Sequence, residues 1–288
     1  MAQSRVAVLG LGIMGAGMAN NLLRAGFPVN VYNRDAAKSA PFAASGARVA
    51  TSPRDAASDA DIVISMVSDD RASRAVWLGD EGALSGVKKG ALLIDSSTLT
   101  VSWVEELAKA AQAAGAEFID APVTGSRDHA AAGQLLFLVG GSDAALERAK
   151  PVLSVMSRGI VHLGPVGSGA LMKLINNFVC GVQAVALAEG LRFIENSTLD
   201  RDNALEVLYT GAPGSPLVKT LGPRMAARDF QTFFFLRLMK KDLTYAREEA
   251  GRLGITLETA TAALSLFDRA IADGNGDKDF TAIVEAVR

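Results

Sequence analysis

Read from its N-terminus, the chain alternates short apolar runs with stretches whose apolar residues recur every three or four positions. The runs at Val6–Leu9, Val29–Tyr32, Asp61–Val67, Ala91–Asp95, Glu117–Asp120, Leu135–Val139 and Val161–Leu163 predict strands. Between several of them, Met14–Ala25, Asp35–Ala44, Arg71–Trp77, Val101–Ala114 and Asp143–Val155 have helical spacing. Strands that alternate with helices of this length imply right-handed crossovers and a mostly parallel sheet covered on both faces. The expected fold class is α/β, a doubly wound sheet.

Near Gly164-Pro165-Val166-Gly167 the pattern changes. From Ser168 onward no run predicts a strand. A long apolar helix is expected over Ala170–Asn196, then shorter ones over Arg201–Tyr209, Leu217–Ala227, Leu236–Leu253, Leu257–Ala272 and Phe280–Val287. The expected organisation is an α/β domain over residues 1–164 and an all-α domain over 165–288, with the long helix starting at the junction.

Length and charge bound the function. A chain of 288 residues suits one large or two ordinary domains. With 29 basic against 31 acidic residues, it presents no electrostatic footprint for nucleic acid or anionic lipid. Cys180, the single cysteine, excludes an intramolecular disulfide and suits a reducing compartment. No signal-peptide pattern precedes Val6, and the apolar stretch Leu171–Leu191 carries Lys173, Asn176, Asn177, Gln183 and Glu189. That polar content argues for burial in protein rather than lipid, so a soluble cytoplasmic protein is expected.

The most specific local feature is Gly10-Leu11-Gly12-Ile13-Met14-Gly15, a G-x-G-x-x-G loop between a strand and a helix. Its glycines suit a tight turn, close approach of backbone to a pyrophosphate, and close helix–strand packing; the helix N-terminus offers free N–H groups to the phosphates. The second strand ends in Asn33-Arg34-Asp35. NAD sites usually place a carboxylate there, whereas Asn33 is neutral and a guanidinium such as Arg34 can pair with a 2′-phosphate. Asp35 competes with this reading, but it also stands where the next helix needs an N-cap, and is assigned that role. NADP is therefore expected in preference to NAD.

Four further stretches carry candidate chemistry. "DSST" at Asp95–Thr98 and "DAPVTGS" at Asp120–Ser126 each end a strand, where ligands sit in open α/β sheets. The second reads either as a polar turn or as a carboxylate-binding loop built on Thr124, Gly125 and Ser126. In "KLINN", Lys173 and Asn177 lie four apart and share a helix face. A partly desolvated lysine can serve as a general acid/base, and one that reaches water need not. "KKDL" at Lys240–Leu243 reads at first as a solvated helix face. His129 and His162 have no metal-like spacing, no nucleophile elbow occurs, and no metal is expected.

Together, "GLGIMGAGMANNL", "DAPVTGS…AAAGQL", "GALMKLINN" and "KKDL" resemble, in order and spacing, the β-hydroxyacid dehydrogenase family. "NRD", "MVSDD" at Met66–Asp70 and Gly125-Ser126 resemble most the branch of NADPH-dependent glyoxylate and succinic semialdehyde reductases. The resemblance implies that Lys173 is the catalytic acid/base. It implies that Thr124 and Gly125 grip a substrate carboxylate, beside Ser126 as a further substrate-binding candidate, and that Asn177 orients the substrate. Gly10 to Gly15, Asn33, Arg34, Met66 and Val67 would hold the cofactor, with Thr98 and Lys241 at its nicotinamide end. Phe234 and Asp242 would border the same site, set in a dry cleft between domains. The implied assembly is a homodimer or homotetramer formed through the helical domain.

Three departures bear on the substrate. Thr124 replaces the family's serine, adding a methyl group; a proline usual after the "DSST" position is missing from "DSSTLTVSW"; and His129 occupies a loop where small or apolar residues are usual. Two rivals follow. An imine reductase shares the fold, but such enzymes generally lack the lysine and asparagine of "KLINN". A non-catalytic cofactor-binding module would have no need of Lys173 and Lys241.

Overall fold

A computed structural model describes residues 3–287. The chain forms two compact units, Met1–Lys173 and Leu174–Arg288. The first contains β1 (Val6–Leu9), α1 (Ile13–Arg24), β2 (Val29–Tyr32), α2 (Ala36–Ala44), β3 (Arg48–Val49), α3 (Pro53–Ala57), β4 (Ile62–Ser65) and α4 (Asp70–Trp77). It continues through β5 (Leu92–Asp95), α5 (Val101–Ala113), β6 (Glu117–Asp120), β7 (Val123–Thr124), α6 (Arg127–Ala132), β8 (Leu135–Gly140), α7 (Asp143–Ser154) and β9 (Ser157–Gly164). A long helix, α8 (Ser168–Glu195), begins in this unit and ends in the second.

The strands form one nine-stranded sheet in the order β3-β2-β1-β4-β5-β6-β8-β7, with β9 beside β8. The pairs from β3 to β6 are parallel, as is β8 with β9; β8 runs antiparallel to β6 and β7. From β1 the chain winds outward through β2 and β3, then crosses back to β4 and winds the other way. Right-handed crossovers therefore put the helices that follow β1 and β2 on one face of the sheet and those that follow β4 and β5 on the other. This is why β1, β4 and β5 are buried at every residue and are apolar except for the closing Ser65 and Asp95. On one face Val6, Val8, Ile62, Ile64, Leu92 and Ile94 pack with Met18 and Leu22 of α1 and Leu146, Val152 and Leu153 of α7 in one core.

The second unit is helical: the rest of α8, α9 (Arg201–Thr210), α10 (Pro216–Ala227), α11 (Leu236–Arg252), α12 (Glu258–Ala272) and a 3-10 segment, Phe280–Val287. Leu187, Leu191, Leu221, Leu243, Phe267 and Ile283 belong to its own apolar core. The last segment has an apolar pattern that predicts an α-helix, yet it winds as 3-10, with Ala282 N donating to Asp279 O.

Several elements differ from the sequence expectation. β3, β7, α3 and α6 are two to six residues long, too short for a periodic signal. β9 starts at Ser157, four residues before the apolar run, because parallel pairing with β8 extends over the polar Ser157–Gly159. Cys180, whose surroundings suggest full burial, is half-buried.

Candidate functional site

The glycine loop closes onto the end of β4. Gly10 has φ +98°, a region that favours glycine, and a Cβ there would lie 2.3 Å from Met66 O. A Cβ at Gly15 would lie 2.0 Å from Gly10 O, so α1 can approach β1 this closely only without a side chain. At Gly12 a Cβ would meet nothing within 4 Å, so the backbone at the helix start lies open. Gly12 is the N-cap of α1, no side chain caps it, and the first turn has no acidic residue. One glycine makes the turn, one exposes backbone and one lets the helix pack, which is the arrangement a dinucleotide pyrophosphate requires. The residues present therefore fit the cofactor. Leu11, Ile13 and Met14 lie in the same loop and first turn, and half-buried Met66 and Val67 border it.

Asn33 and Asp35 turn out to have structural partners. Asn33 Oδ1 accepts from Leu11 N at 2.9 Å, bracing the glycine loop, and its Nδ2 donates to Asp35 O. Asp35 Oδ1 accepts from Ala37 N at 3.1 Å as the N-cap of α2, as its sequence position predicts. Arg34 between them is exposed and, among the described residues, has no ion-pair partner.

The neighbouring strand ends are locked by the carboxylates that open "DSST" and "DAPVTGS", a role the residue pattern did not show. Buried Asp95 accepts from Ser73 Oγ, Trp77 Nε1 and Ser97 N, each at 2.9 Å. Ser97 Oγ accepts from Val67 N at 2.9 Å, which ties the end of β4 to the "DSST" turn. Thr98 follows, half-buried.

At the end of β6, buried Asp120 turns toward the start of α8, accepting from Gly167 N at 2.8 Å and Ala170 N at 2.7 Å. Burial raises its carboxyl from 3.8 to about 6, against these amide bonds, which lower it. Four residues on, Thr124 pairs with Leu136 in β7 and is half-buried. Gly125 has φ +123°, so the loop needs glycine there.

His129 is not in a loop. It lies in the first turn of α6, where its Nδ1 accepts from Ser126 N at 3.2 Å and stands 3.0 Å from Ser126 Oγ. The ring thus occupies the hydrogen-bonding groups of Ser126, one of the residues expected at the substrate carboxylate. Six residues were too few to mark this helix in the sequence.

Lys173 is half-buried on α8 at the end of the first unit, one turn before Asn177, which opens the buried cluster of the second. Asn177 is 5% exposed; its Nδ2 donates to Asp242 Oδ2 at 2.5 Å and its Oδ1 accepts from Asn176 Nδ2 at 2.9 Å. Lys241 Nζ stands 3.0 Å from Asp242 Oδ1, an ion-pair distance without the alignment of a hydrogen bond, and lies over the Tyr245 ring. Lys241 is 16% exposed and Asp242 1%. "KKDL" is therefore not a solvated face: α11 turns Asp242 inward against α8, a contact between positions 65 apart that helical spacing cannot reveal.

Phe234 belongs to a different knot. Its ring meets Phe280 edge to face at 5.9 Å, and its N–H donates to buried Asp279.

Comparison with known proteins bears on the fold and the family. The family model for the NAD-binding domain of 6-phosphogluconate dehydrogenase matches residues 5–164. That for the NAD-binding region of NADP-dependent 3-hydroxyisobutyrate dehydrogenase matches residues 167–287. Glyoxylate/succinic semialdehyde reductase 1 of Arabidopsis thaliana is 36% identical over 283 residues, covering 98% of each chain. NAD-dependent L-serine dehydrogenase of Pseudomonas aeruginosa is 34% identical over 286 residues, 97% of this chain and 96% of its own length. The structure of Mycobacterium tuberculosis 3-hydroxyisobutyrate dehydrogenase with L-serine covers 100% of both chains, with a TM-score of 0.90 at 33% identity.

Proposed function

The chain belongs to the 3-hydroxyisobutyrate dehydrogenase family of NAD(P)-binding oxidoreductases, and on that premise we propose an NADPH-dependent reductase of small aldehyde acids. Its substrate class is that of glyoxylate, succinic semialdehyde and tartronate semialdehyde, each reduced to the hydroxy acid. Full-length similarity to a glyoxylate/succinic semialdehyde reductase supports this choice.

One observation carries the reading: a mostly apolar helix buries Asn177 against Asp242, which Lys241 pairs on its other oxygen, and bears Lys173 one turn earlier. Buried polar groups cost free energy unless satisfied, and an apolar helix has no packing need for them.

When bound, a nicotinamide dinucleotide would supply the hydride for the carbonyl carbon. Lys173 gives a proton from Nζ to the carbonyl oxygen, and takes it back from the hydroxyl in the reverse direction. Thr124 Oγ1 and the Gly125 amide hold the carboxylate, with Ser126 supporting the loop. Asn177, fixed by Asp242, would orient the substrate, and Lys241 and Thr98 would serve the nicotinamide end with Phe234 bordering the site, the roles that the family resemblance implies for them. Gly10 to Gly15, Met66 and Val67 take the rest of the cofactor, and Arg34 takes the 2′-phosphate, with Asp35 occupied at its helix. In this reading cofactor choice turns on Arg34; one relative at 34% identity is named an NAD-dependent L-serine dehydrogenase.

We also propose that the chain self-associates as a dimer or tetramer in the cytoplasm. Ile175, Val179 and Phe193 are exposed on α8, at 45%, 44% and 81%, and their spacing puts them along one stripe.

The test is NADPH absorbance with a panel of short aldehyde acids, in parallel with NADH. Turnover of at least one acid is expected, with Lys173→Ala inactive and still binding NADPH. Full activity of that variant, or NADPH binding without oxidation by any acid, refutes the proposal.

A further inference from the structure

The start of α8 lacks the cap that a helix normally carries. The position before Ser168 is Gly167, which has no side chain and sits at φ +94°. In its place a carboxylate arrives from the sheet: Asp120, 47 residues earlier, accepts from Gly167 N through Oδ1 at 2.8 Å and from Ala170 N through Oδ2 at 2.7 Å. Both oxygens thus hold amides that the first turn of a helix leaves unpaired.

The pocket around Asp120 fits this carboxylate tightly. A Cβ on Gly140 would come 2.5 Å from its Oδ1, and one on Gly169 would come 2.9 Å from its Oδ2 and 2.2 Å from Leu138 O. Asp120 itself is 1% exposed.

Lys173 follows Ala170 by three residues, one turn along the same helix, a rise of about 4.5 Å. Thr124 follows Asp120 by four residues along the chain, through the rigid Pro122. One carboxylate therefore joins the strand end that leads to the carboxylate-binding loop with the helical turn that leads to the acid/base. We propose that Asp120 is a positioning residue, fastening the first turn of α8 so that the Lys173 ammonium is set against a substrate held at Thr124. The proposal rests on the reading of Lys173 as the acid/base.

Asp120→Asn tests it, because the amide keeps the shape but turns an NH2 group against one of the two backbone donors. Asp120→Ser, which leaves room and imposes no such clash, is the second variant. Both are assayed with glyoxylate or succinic semialdehyde, using NADPH and NADPH deuterated at the transferred position, with rates expressed per NADPH site titrated. Expected is a fall in kcat on the order of 100-fold for Asp120→Asn, smaller for Asp120→Ser. NADPH affinity should stay within about threefold, because the amides of the glycine loop are untouched. The isotope effect on kcat should rise, since a misplaced proton donor slows the chemical step itself. A merely structural role would lower the number of competent sites and leave the isotope effect alone. Wild-type kcat, an unchanged isotope effect, or loss of NADPH binding in both variants overturns the proposal. Lys173→Ala in the same assay separates the two ideas: turnover there removes the premise, whereas an inactive Lys173→Ala with normal Asp120 variants removes only the inference.

Discussion

Asp279 allows the sharpest stability prediction. It is fully buried, and its Oδ1 accepts from Arg224 Nη1 at 3.0 Å, Thr281 N at 3.2 Å and Thr281 Oγ1 at 2.9 Å. Its Oδ2 accepts from Phe233 N at 2.8 Å and Phe234 N at 2.9 Å. Asp279→Ala would leave those amides and the Thr281 hydroxyl without that acceptor. It would also leave Arg224, 13% exposed, with the Gln231 carbonyl and its weaker contact with Asp229 at 3.4 Å. Removing one partner of a buried ion pair costs about 3–5 kcal/mol, and each orphaned donor adds to that until water reaches it. A loss of about 4 kcal/mol is expected, a large share of the 5–15 kcal/mol typical of a folded protein. Urea unfolding followed by circular dichroism measures it. The double variant with Arg224→Ala should lose less than the sum of the single losses, because the stranded guanidinium goes too. Phe234 is held by the same carboxylate, so KM for the aldehyde acid should rise as well. A loss below about 1 kcal/mol with an unchanged denaturant slope would refute this account of the knot.

Three other outcomes follow from the geometry. Gly12→Ala should leave stability within about 1 kcal/mol but weaken NADPH binding tenfold or more, whereas Gly15→Ala should destabilise the fold by more than about 2 kcal/mol; thermal melts and NADPH titration separate them, and equal effects would contradict the assignment. Arg34→Ala should raise KM for NADPH by roughly 10- to 100-fold, the worth of lost charge-assisted hydrogen bonds, and leave NADH nearly unchanged. Asp35→Ala should cost about 1 kcal/mol as a lost cap without altering that preference, and a changed KM for NADH would show that Asp35 grips the ribose. The pH dependence of Asp120 has a definite sign. Its folded carboxyl titrates at about 6 against an ordinary 3.8, so the folded state takes up the proton first. Its contribution is therefore fully present below about pH 4 and is lost as pH rises through about 6, by at most about 3 kcal/mol. Asp55, Asp61 and Asp229, held low chiefly by hydrogen bonds from the backbone amides of Thr51, Arg5 and Gln231, act in the opposite direction. The difference in unfolding free energy between wild type and Asp120→Asn isolates Asp120; it should fall from pH 4 to 7, and a flat or rising difference would refute the sign.

Sequence alone determined the features whose causes are local. The glycine spacing of Gly10, Gly12 and Gly15 showed the turn because backbone freedom belongs to the residue itself. The apolar runs of β1, β4 and β5 showed a sheet buried on both faces, and the three-to-four spacing of α8 and α11 marked them as helices. Asp35 stood in the right position for a cap, and the cap is there. What tertiary structure decided lies in contacts between distant positions. Asp242 became part of a buried cluster because α11 brings it 2.5 Å from Asn177, although its own neighbours read as a solvated face. His129 became a partner of Ser126 because a six-residue helix, invisible to periodicity, folds between β7 and β8. Asp120 reads in sequence as the polar end of a strand, and only its approach to Gly167 and Ala170 makes it the cap of α8. A periodic pattern records which side of an element is apolar, but not which distant polar group the fold will bring against it.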